Sequence, residues 1–196
     1  FNIHSNGNLL LHSKMRKGNI DEGFEQADVV IEREFVTQTV DHAYIEPEGA
    51  LAYWEGKTLV VHCCSQGPHY HRNEIARLLD MPISRIRVIQ AITGGGFGGK
   101  IDLLLQHFAA LGAYTTGKPV KITWGREESL RTSTKRHAFH MSYRMGAGRD
   151  GRLTAARAKV IGNTGAYASF GPAVLTRSAT MALGPYDCPN VHVDAY

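Results

Sequence analysis

The residues of this chain with the clearest chemical promise form one short run, Gly94-Gly95-Gly96-Phe97-Gly98-Gly99-Lys100, five glycines around a single aromatic ring. Glycine is used where a backbone must take positive φ or approach another group with no side chain in the way. A loop of this kind, followed by a helix N-terminus, aims several backbone N–H groups and a positive dipole end at one point. A small anionic or oxo-bearing group is therefore the expected occupant. Three readings compete. Gly94 and Gly99-Lys100 fit the phosphate-loop spacing, but that motif needs Ser or Thr next to hold magnesium, and Ile101 stands there. Gly94, Gly96 and Gly99 fit G-x-G-x-x-G, yet a dinucleotide fold also wants an acidic residue about 20 positions on, and Glu127 and Glu128 come later. The third reading is a glycine-rich turn that holds nothing.

Other polar residues say less by themselves. Gln66 ends a predicted strand beside Gly67-Pro68, where a helix begins. Its amide either points into a cleft or serves the turn, and the turn is favoured. His69-x-His71 and His137-x-x-His140 are weak metal pairs with no third ligand at a recognisable spacing, so hydrogen-bonded or solvated histidine is the better reading.

The elements that must position these residues follow from periodicity and breakers. Residues 1–26 read as a polar lead-in with little core signal and a turn at Asn6-Gly7-Asn8. Ala27–Thr39 carries Val29, Ile31 and Phe35 at alternate positions and reads as a strand with one face buried. Ala50–Trp54 and Thr58–Cys63 form a hairpin about Glu55-Gly56, and Pro68–Asp80 a helix ended by Met81-Pro82. Ile86–Ile89 reads as the strand before the glycine loop, and Ile101–Tyr114 as a buried helix directly after it, stopped by Gly117 and Pro119. Val120–Trp124 is a short strand and Glu127–Leu130 a helical turn. His137–Gly146 and Arg152–Ile161 flank a hairpin signal at Gly148-Arg149-Asp150-Gly151. Pro172–Leu183 reads as a helix and Pro189–Tyr196 as a strand. The class is α+β, with mixed and antiparallel sheets, hairpins and about three helices.

Bulk properties narrow the function classes. With 43% apolar and 20% charged residues the chain is ordinary for a globular protein. It contains no apolar run long enough to span a membrane and no signal segment. The formal charge of +4 comes from scattered Lys and Arg, without the basic face interleaved with aromatics that nucleic-acid binding uses. Three cysteines, two of them the adjacent Cys63 and Cys64, argue for a reducing, cytoplasmic compartment and against a disulfide framework or a zinc site. Without an initiator Met, the chain reads as a piece of something longer.

An ordered set of short blocks carries a resemblance. Glu46-Pro47-Glu48-Gly49-Ala50, Ser65-Gln66-Gly67-Pro68, Arg85-Ile86-Arg87-Val88 and Gly94–Lys100 resemble the molybdenum hydroxylases, the xanthine dehydrogenase and aldehyde oxidase family. The similarity continues through Lys118-Pro119-Val120-Lys121, Asp150-Gly151, Asn163-Thr164-Gly165-Ala166-Tyr167 and Tyr186–Asn190, nearly the whole chain from about Gly23. It implies a fold of the molybdenum-cofactor-binding-domain type, with 27–196 a partial molybdopterin-binding domain of a longer subunit. It also implies a molybdenum–molybdopterin cofactor, in some members the cytosine dinucleotide, with 2Fe-2S and FAD on partner subunits or domains. The implied reaction is hydroxylation of an electron-poor carbon in a purine, another N-heterocycle or an aldehyde. A molybdenum-bound hydroxide attacks, hydride passes to a terminal sulfur or selenium, and a buried glutamate is the general base.

By the same resemblance Gln66 is the amide that hydrogen-bonds an oxygen on molybdenum. Gly95, Gly96 and Phe97 lie against the metal–dithiolene end, with Phe97 also near the substrate channel. Arg177, placed by its distance from Tyr186-Asp187-Cys188-Pro189-Asn190, stabilises charge developing on the heterocycle. Two departures qualify this. Xanthine-type members commonly carry glutamate directly after the loop lysine, whereas Ile101 stands here with Asp102 next, and an apolar residue at that place resembles aldehyde-oxidising members. The family's catalytic glutamate and later pterin loops lie C-terminal of this sector, so residues 1–196 alone are expected to be inactive. The rival from another class is a phosphate-loop nucleotide-binding protein.

Overall fold

In the computed structural model, which describes residues 7–196, the chain divides into two units. One takes the chain up to Thr39 and again from His137 to Tyr196, and the other is the intervening Val40–Arg136. The elements β1 (Ser13–Lys17), α1 (Ile20–Glu25) and β2 (Val29–Thr37) come first. The intervening unit runs β3 (Gly49–Glu55), β4 (Thr58–Cys63), α2 (Pro68–Leu78), β5 (Ile86–Gln90), α3 (Gln106–Thr116), β6 (Val120–Thr123) and α4 (Arg126–Thr132). β7 (Ala138–Ala147), β8 (Leu153–Asn163), α5 (Gly171–Thr180) and β9 (Asn190–Ala195) complete the first unit. The mixed α+β class is as expected. Five helices rather than about three are found among the described residues, because α1 and α4 are too short for a clear periodic signal. Of the turn expected at Asn6-Gly7-Asn8, Asn6 lies outside the described residues.

The intervening unit contains a sheet of order β5-β4-β3-β6. β3 and β4 form the expected hairpin, with Ala52 opposite Val61, and β6 pairs antiparallel on the far side of β3. β5 lies parallel to β4, with α2 as the crossover that parallel neighbours require. Leu59, Val61, Ala52 and Ile75 meet Ala109, Ala110 and Ala113 of α3 in the core. The alanine stripe lets α3 approach the sheet closely, and Trp54 Nε1 donates to the Ala113 carbonyl at 3.0 Å.

The other unit has a sheet of order β1-β9-β8-β7-β2, with Leu175 and Ala179 of α5 packed on Val160, Val191 and Val193. The hairpin about Gly148–Gly151 is observed, closed by Gly148 N donating to Arg152 O at 2.9 Å. The lead-in carries more structure than its polarity suggested. Met15 of β1 packs against the core, and Asn19 caps α1 by accepting from Asp21 N and Glu22 N. Asn190 ties this lead-in down: its Oδ1 accepts from Asn19 N at 2.8 Å and its Nδ2 donates to Thr154 O at 2.9 Å.

Two expectations need correction. β2 was expected to bury one face, yet Val29, Ile31 and Phe35 are 50%, 55% and 51% exposed. β2 is the outer strand of its sheet, and α5 covers only β1, β8 and β9. The helix expected to start at Ile101 starts at Gln106. Residues 101–105 are irregular because their polar groups are taken elsewhere: Ile101 O accepts from His71 Nε2, and Leu104 N donates to Gln106 Oε1. The α3 N-terminus therefore does not follow directly on the glycine loop.

Candidate cofactor site

Parallel pairing explains why distant residues meet. Cys63 at the end of β4 lies opposite Gln90 at the end of β5, so the segments that follow leave the sheet at the same edge. The first carries Gln66 and the second the glycine loop. The carboxyl edge of parallel strands is where open sheets place their ligands.

The loop is closed from beneath by Glu46. Its Oε2 accepts from Gly94 N at 2.8 Å and from Lys100 Nζ at 2.7 Å, so one carboxylate oxygen grips both ends. Lys100 Nζ also donates to Glu46 O at 2.9 Å, and Glu46 N to Gly94 O at 3.2 Å. Lys100 is 0% exposed and stands over the ring of Tyr44, whose hydroxyl donates to the Glu48 carboxylate. Burial alone would raise the Glu46 pKa, but the Lys100 and Gly94 hydrogen bonds outweigh it and hold the carboxyl below its ordinary value. Burial and the Glu48 carboxylate push the Tyr44 phenol well above its own. This arrangement overturns the phosphate-loop reading. The lysine of such a loop must reach phosphate, and Lys100 is sealed on the opposite side by a carboxylate.

Above the loop lies Gln66. Its Oε1 accepts from Gly98 N at 3.0 Å and Lys100 N at 3.2 Å, and its own N–H donates to Lys100 O at 3.0 Å. Backbone N–H groups can only donate, so the carboxamide oxygen must face them and the NH2 must face away. Among the described residues none accepts from that NH2, nor from the N–H groups of Gly95, Gly96 and Phe97. Glycine is required where these pieces meet. A Cβ on Gly96 would lie 2.4 Å from Gln66 Oε1, and one on Gly99 2.8 Å from His42 Nδ1. Gly95, Phe97 and Gly98 all have positive φ, and a tight turn from Gly99 N to Gly96 O at 2.7 Å raises the Phe97 ring, 68% exposed, at the tip.

Gln66, Gly95, Gly96, Phe97 and Ile101 thus occupy one edge of one unit. Ile101 is half-buried, with its Cγ2 beside Gly67. A helix starting at Ile101 would turn Asp102 away from it, but no helix runs through this segment, and the Asp102 charge acts on Tyr70 and His71. Arg177 belongs to the other unit, exposed on α5, and its guanidinium meets no acceptor among the described residues. The three cysteines are buried free thiols, and burial with the neighbouring Cys64 pushes Cys63 up to about 12, which leaves it inert.

Sequence reasoning missed the Glu46–Lys100 pair and His71. His71 was weighed only as a metal partner of His69, although it shares the buried face of α2 with Ile75 four residues on. That spacing is the signal that marks it as a core residue. The convergent groups are hydrogen-bond donors, so they suit a ligand rich in acceptors, such as oxo groups and dithiolene sulfurs. The glycine cradle suits a close approach.

The molybdopterin cofactor-binding domain family matches residues 3–196. The nicotinate dehydrogenase large molybdopterin subunit of Eubacterium barkeri is 46% identical over 194 residues, covering 98% of this chain and 46% of that protein. The xanthine dehydrogenase molybdenum-binding subunit of Escherichia coli O157:H7 is 37% identical over 174 residues, 88% of this chain and 23% of that protein. The aldehyde oxidoreductase of Desulfovibrio gigas superposes with a TM-score of 0.89 at 27% identity, covering 96% of this chain and 21% of that one. The chain spans less than half the length of these relatives. No helix among the described residues is long and apolar enough to cross a membrane.

Proposed function

Because the chain belongs to the molybdenum hydroxylase family, as a molybdopterin cofactor-binding domain, we propose that it forms one wall of a site oxidising an N-heterocycle. In net terms such a reaction takes a C–H bond and water to a C–OH group, with release of two electrons and two protons. The cofactor, when bound, supplies the oxygen-transfer and electron-accepting chemistry. The observation that carries the reading is the committed carbonyl and uncommitted NH2 of Gln66, beside three uncommitted loop N–H groups.

In this reading the Gln66 NH2 would donate to an oxo-type acceptor, and the Gly95, Gly96 and Phe97 N–H groups would hold the dithiolene end. Preorganised donors of this kind need no rearrangement as charge develops. Phe97 gives an apolar, water-excluding face to the substrate approach. Arg177 stabilises negative charge growing on the ring. Partner 2Fe-2S and FAD groups would accept the electrons, and the remainder of the subunit would supply the general base. The similarity to a nicotinate dehydrogenase subunit, together with Ile101 where a carboxylate would hold a purine, favours a heterocycle other than xanthine. An aldehyde is the second reading, favoured by the apolar Ile101 alone.

The test uses the full-length subunit in its assembled enzyme. Gln66→Ala should lower molybdenum content or turnover by about a hundredfold, and nicotinate should be turned over faster than xanthine. Undiminished molybdenum and turnover in that variant would refute the placement of the cofactor.

A further inference from the structure

His71 is wholly buried on α2, and both its ring nitrogens are engaged. Nε2 lies 2.7 Å from Ile101 O, and Nδ1 lies 3.0 Å from Ser65 Oγ. A carbonyl only accepts, so Nε2 carries the proton; in the neutral ring Nδ1 is then an acceptor and takes the Ser65 hydroxyl proton. The same Oγ accepts from Gly67 N at 3.0 Å. One directed chain results, from Gly67 N–H to Ser65 Oγ, from Ser65 O–H to His71 Nδ1, and from His71 Nε2–H to Ile101 O.

This chain passes around Gln66. Ser65 and Gly67 are the residues on either side of it, and Ile101 follows Lys100, whose backbone holds Gln66 at both its own N–H and its Oε1. The imidazole therefore spans the two segments whose spacing sets where the Gln66 carboxamide points. An apolar side chain would fill the same volume but would fix no distance between the backbones. Burial favours the neutral ring, against the pull of the Ile101 and Asp102 carbonyls and the Asp102 charge. Tyr70 is tilted beside it at 5.9 Å, and charge on His71 would act on His107 of α3.

We infer that His71, with Ser65 as its relay, is a positioning residue that sets the aim of the Gln66 NH2 without itself touching what that group meets. The inference rests on the role given to Gln66 under Proposed function. Rigid support behind a donor matters because a displacement of about 1 Å can cost about a hundredfold in rate.

A double-mutant cycle in the full-length, cofactor-loaded enzyme tests it, with Gln66→Ala, His71→Leu and Ser65→Ala alone and in pairs. The readouts are molybdenum content, the electron paramagnetic resonance signature of the half-reduced metal, and kcat separately from KM. His71→Leu and Ser65→Ala should each lower kcat roughly ten- to hundredfold, leave KM nearly unchanged and move the signature in the direction that Gln66→Ala moves it. In the Gln66→Ala background neither should add a further loss, since a residue acting only through another has nothing left to act on. Losses that simply add, or single variants with an unmoved signature, overturn the positioning role while leaving the reading of Gln66 intact. A Gln66→Ala enzyme with unchanged metal, signature and kcat overturns both. Should His71→Leu fail to fold, Ser65→Ala removes only one hydroxyl and carries the cycle alone.

Discussion

Lys100 Nζ stands 2.7 Å from Glu46 Oε2, with the lysine side chain wholly out of solvent and the carboxylate 37% exposed. The pair is thus asymmetric in what each partner loses when the other is removed. Glu46→Ala leaves a cation in the interior with only the Glu46 backbone carbonyl and the Tyr44 ring for company, and should cost about 3–5 kcal/mol. Lys100→Met keeps the volume and leaves a carboxylate that water can reach, so its cost should be smaller, about 1–3 kcal/mol. Urea denaturation of the full-length subunit measures both. The opposite order would mean that the lysine is solvated.

Gly96 separates the site from the fold. A Cβ there would press on Gln66 Oε1, the far end of a side chain held by two backbone N–H groups, so Gly96→Ala should cost only about 1–2 kcal/mol of stability. It should nevertheless push the carboxamide off Gly98 and Lys100 and lower turnover or cofactor content tenfold or more, roughly. Gly117→Ala is the control. Gly117 caps α3 at φ 67 with nothing near its Cβ position, so that change should cost about 1 kcal/mol and leave turnover alone. Equal catalytic losses in the two variants would contradict the separation.

Much of this site was legible because glycine and glutamine carry local constraints. The loop, its flanking strand and the Gln66 turn each announce themselves by composition. What could not be read was the pairing that brings them together. β4 and β5 lie parallel because α2 carries the chain back; the helix was readable, but no local pattern says that the strand after it returns to pair with β4. The start of α3 failed for a similar reason. Ile101–Leu105 has helical apolar spacing, but His71 claims the Ile101 carbonyl from 30 positions away. Likewise β2 alternates correctly, and its exposure depends on where α5 stops covering the sheet.

Arg177 tests function free of stability. Its side chain is exposed on α5, so Arg177→Ala should shift stability by no more than about 0.5 kcal/mol. If it meets charge developing on a heterocycle, kcat on nicotinate-like rings should fall about a hundredfold while turnover of a neutral aromatic aldehyde falls much less. Steady-state kinetics on the two substrate classes separates these. Equal losses on both would assign Arg177 to general binding of the cofactor or subunit instead.

Buried histidines give the stability a definite acid dependence. Burial lowers the pKa of His42, His71 and His107, with the Arg136 charge acting on His42 in the same sense. Below the ordinary histidine value of about 6.5, the unfolded chain takes up protons that the folded one refuses. Stability therefore falls as pH drops from there towards the folded-state values. Asp41, Glu46 and Asp194 extend the loss further into acid. Burial would raise all three, but Ser133 and Ala43, Lys100, and Arg16 and His12 respectively outweigh it and hold them low. Their contribution is present above the ordinary carboxylate range near 4 and disappears as pH falls through the lowered values. The urea midpoint of the full-length subunit should thus decline in two stages between about pH 6.5 and pH 3. In His71→Leu the first stage should be shallower by one proton's worth of slope. A midpoint that rises on acidification from pH 7 to 5.5 would show that these rings are protonated in the native protein; His71 Nδ1 would then donate to Ser65 Oγ, reversing that one link, while Nε2–H still donates to Ile101 O.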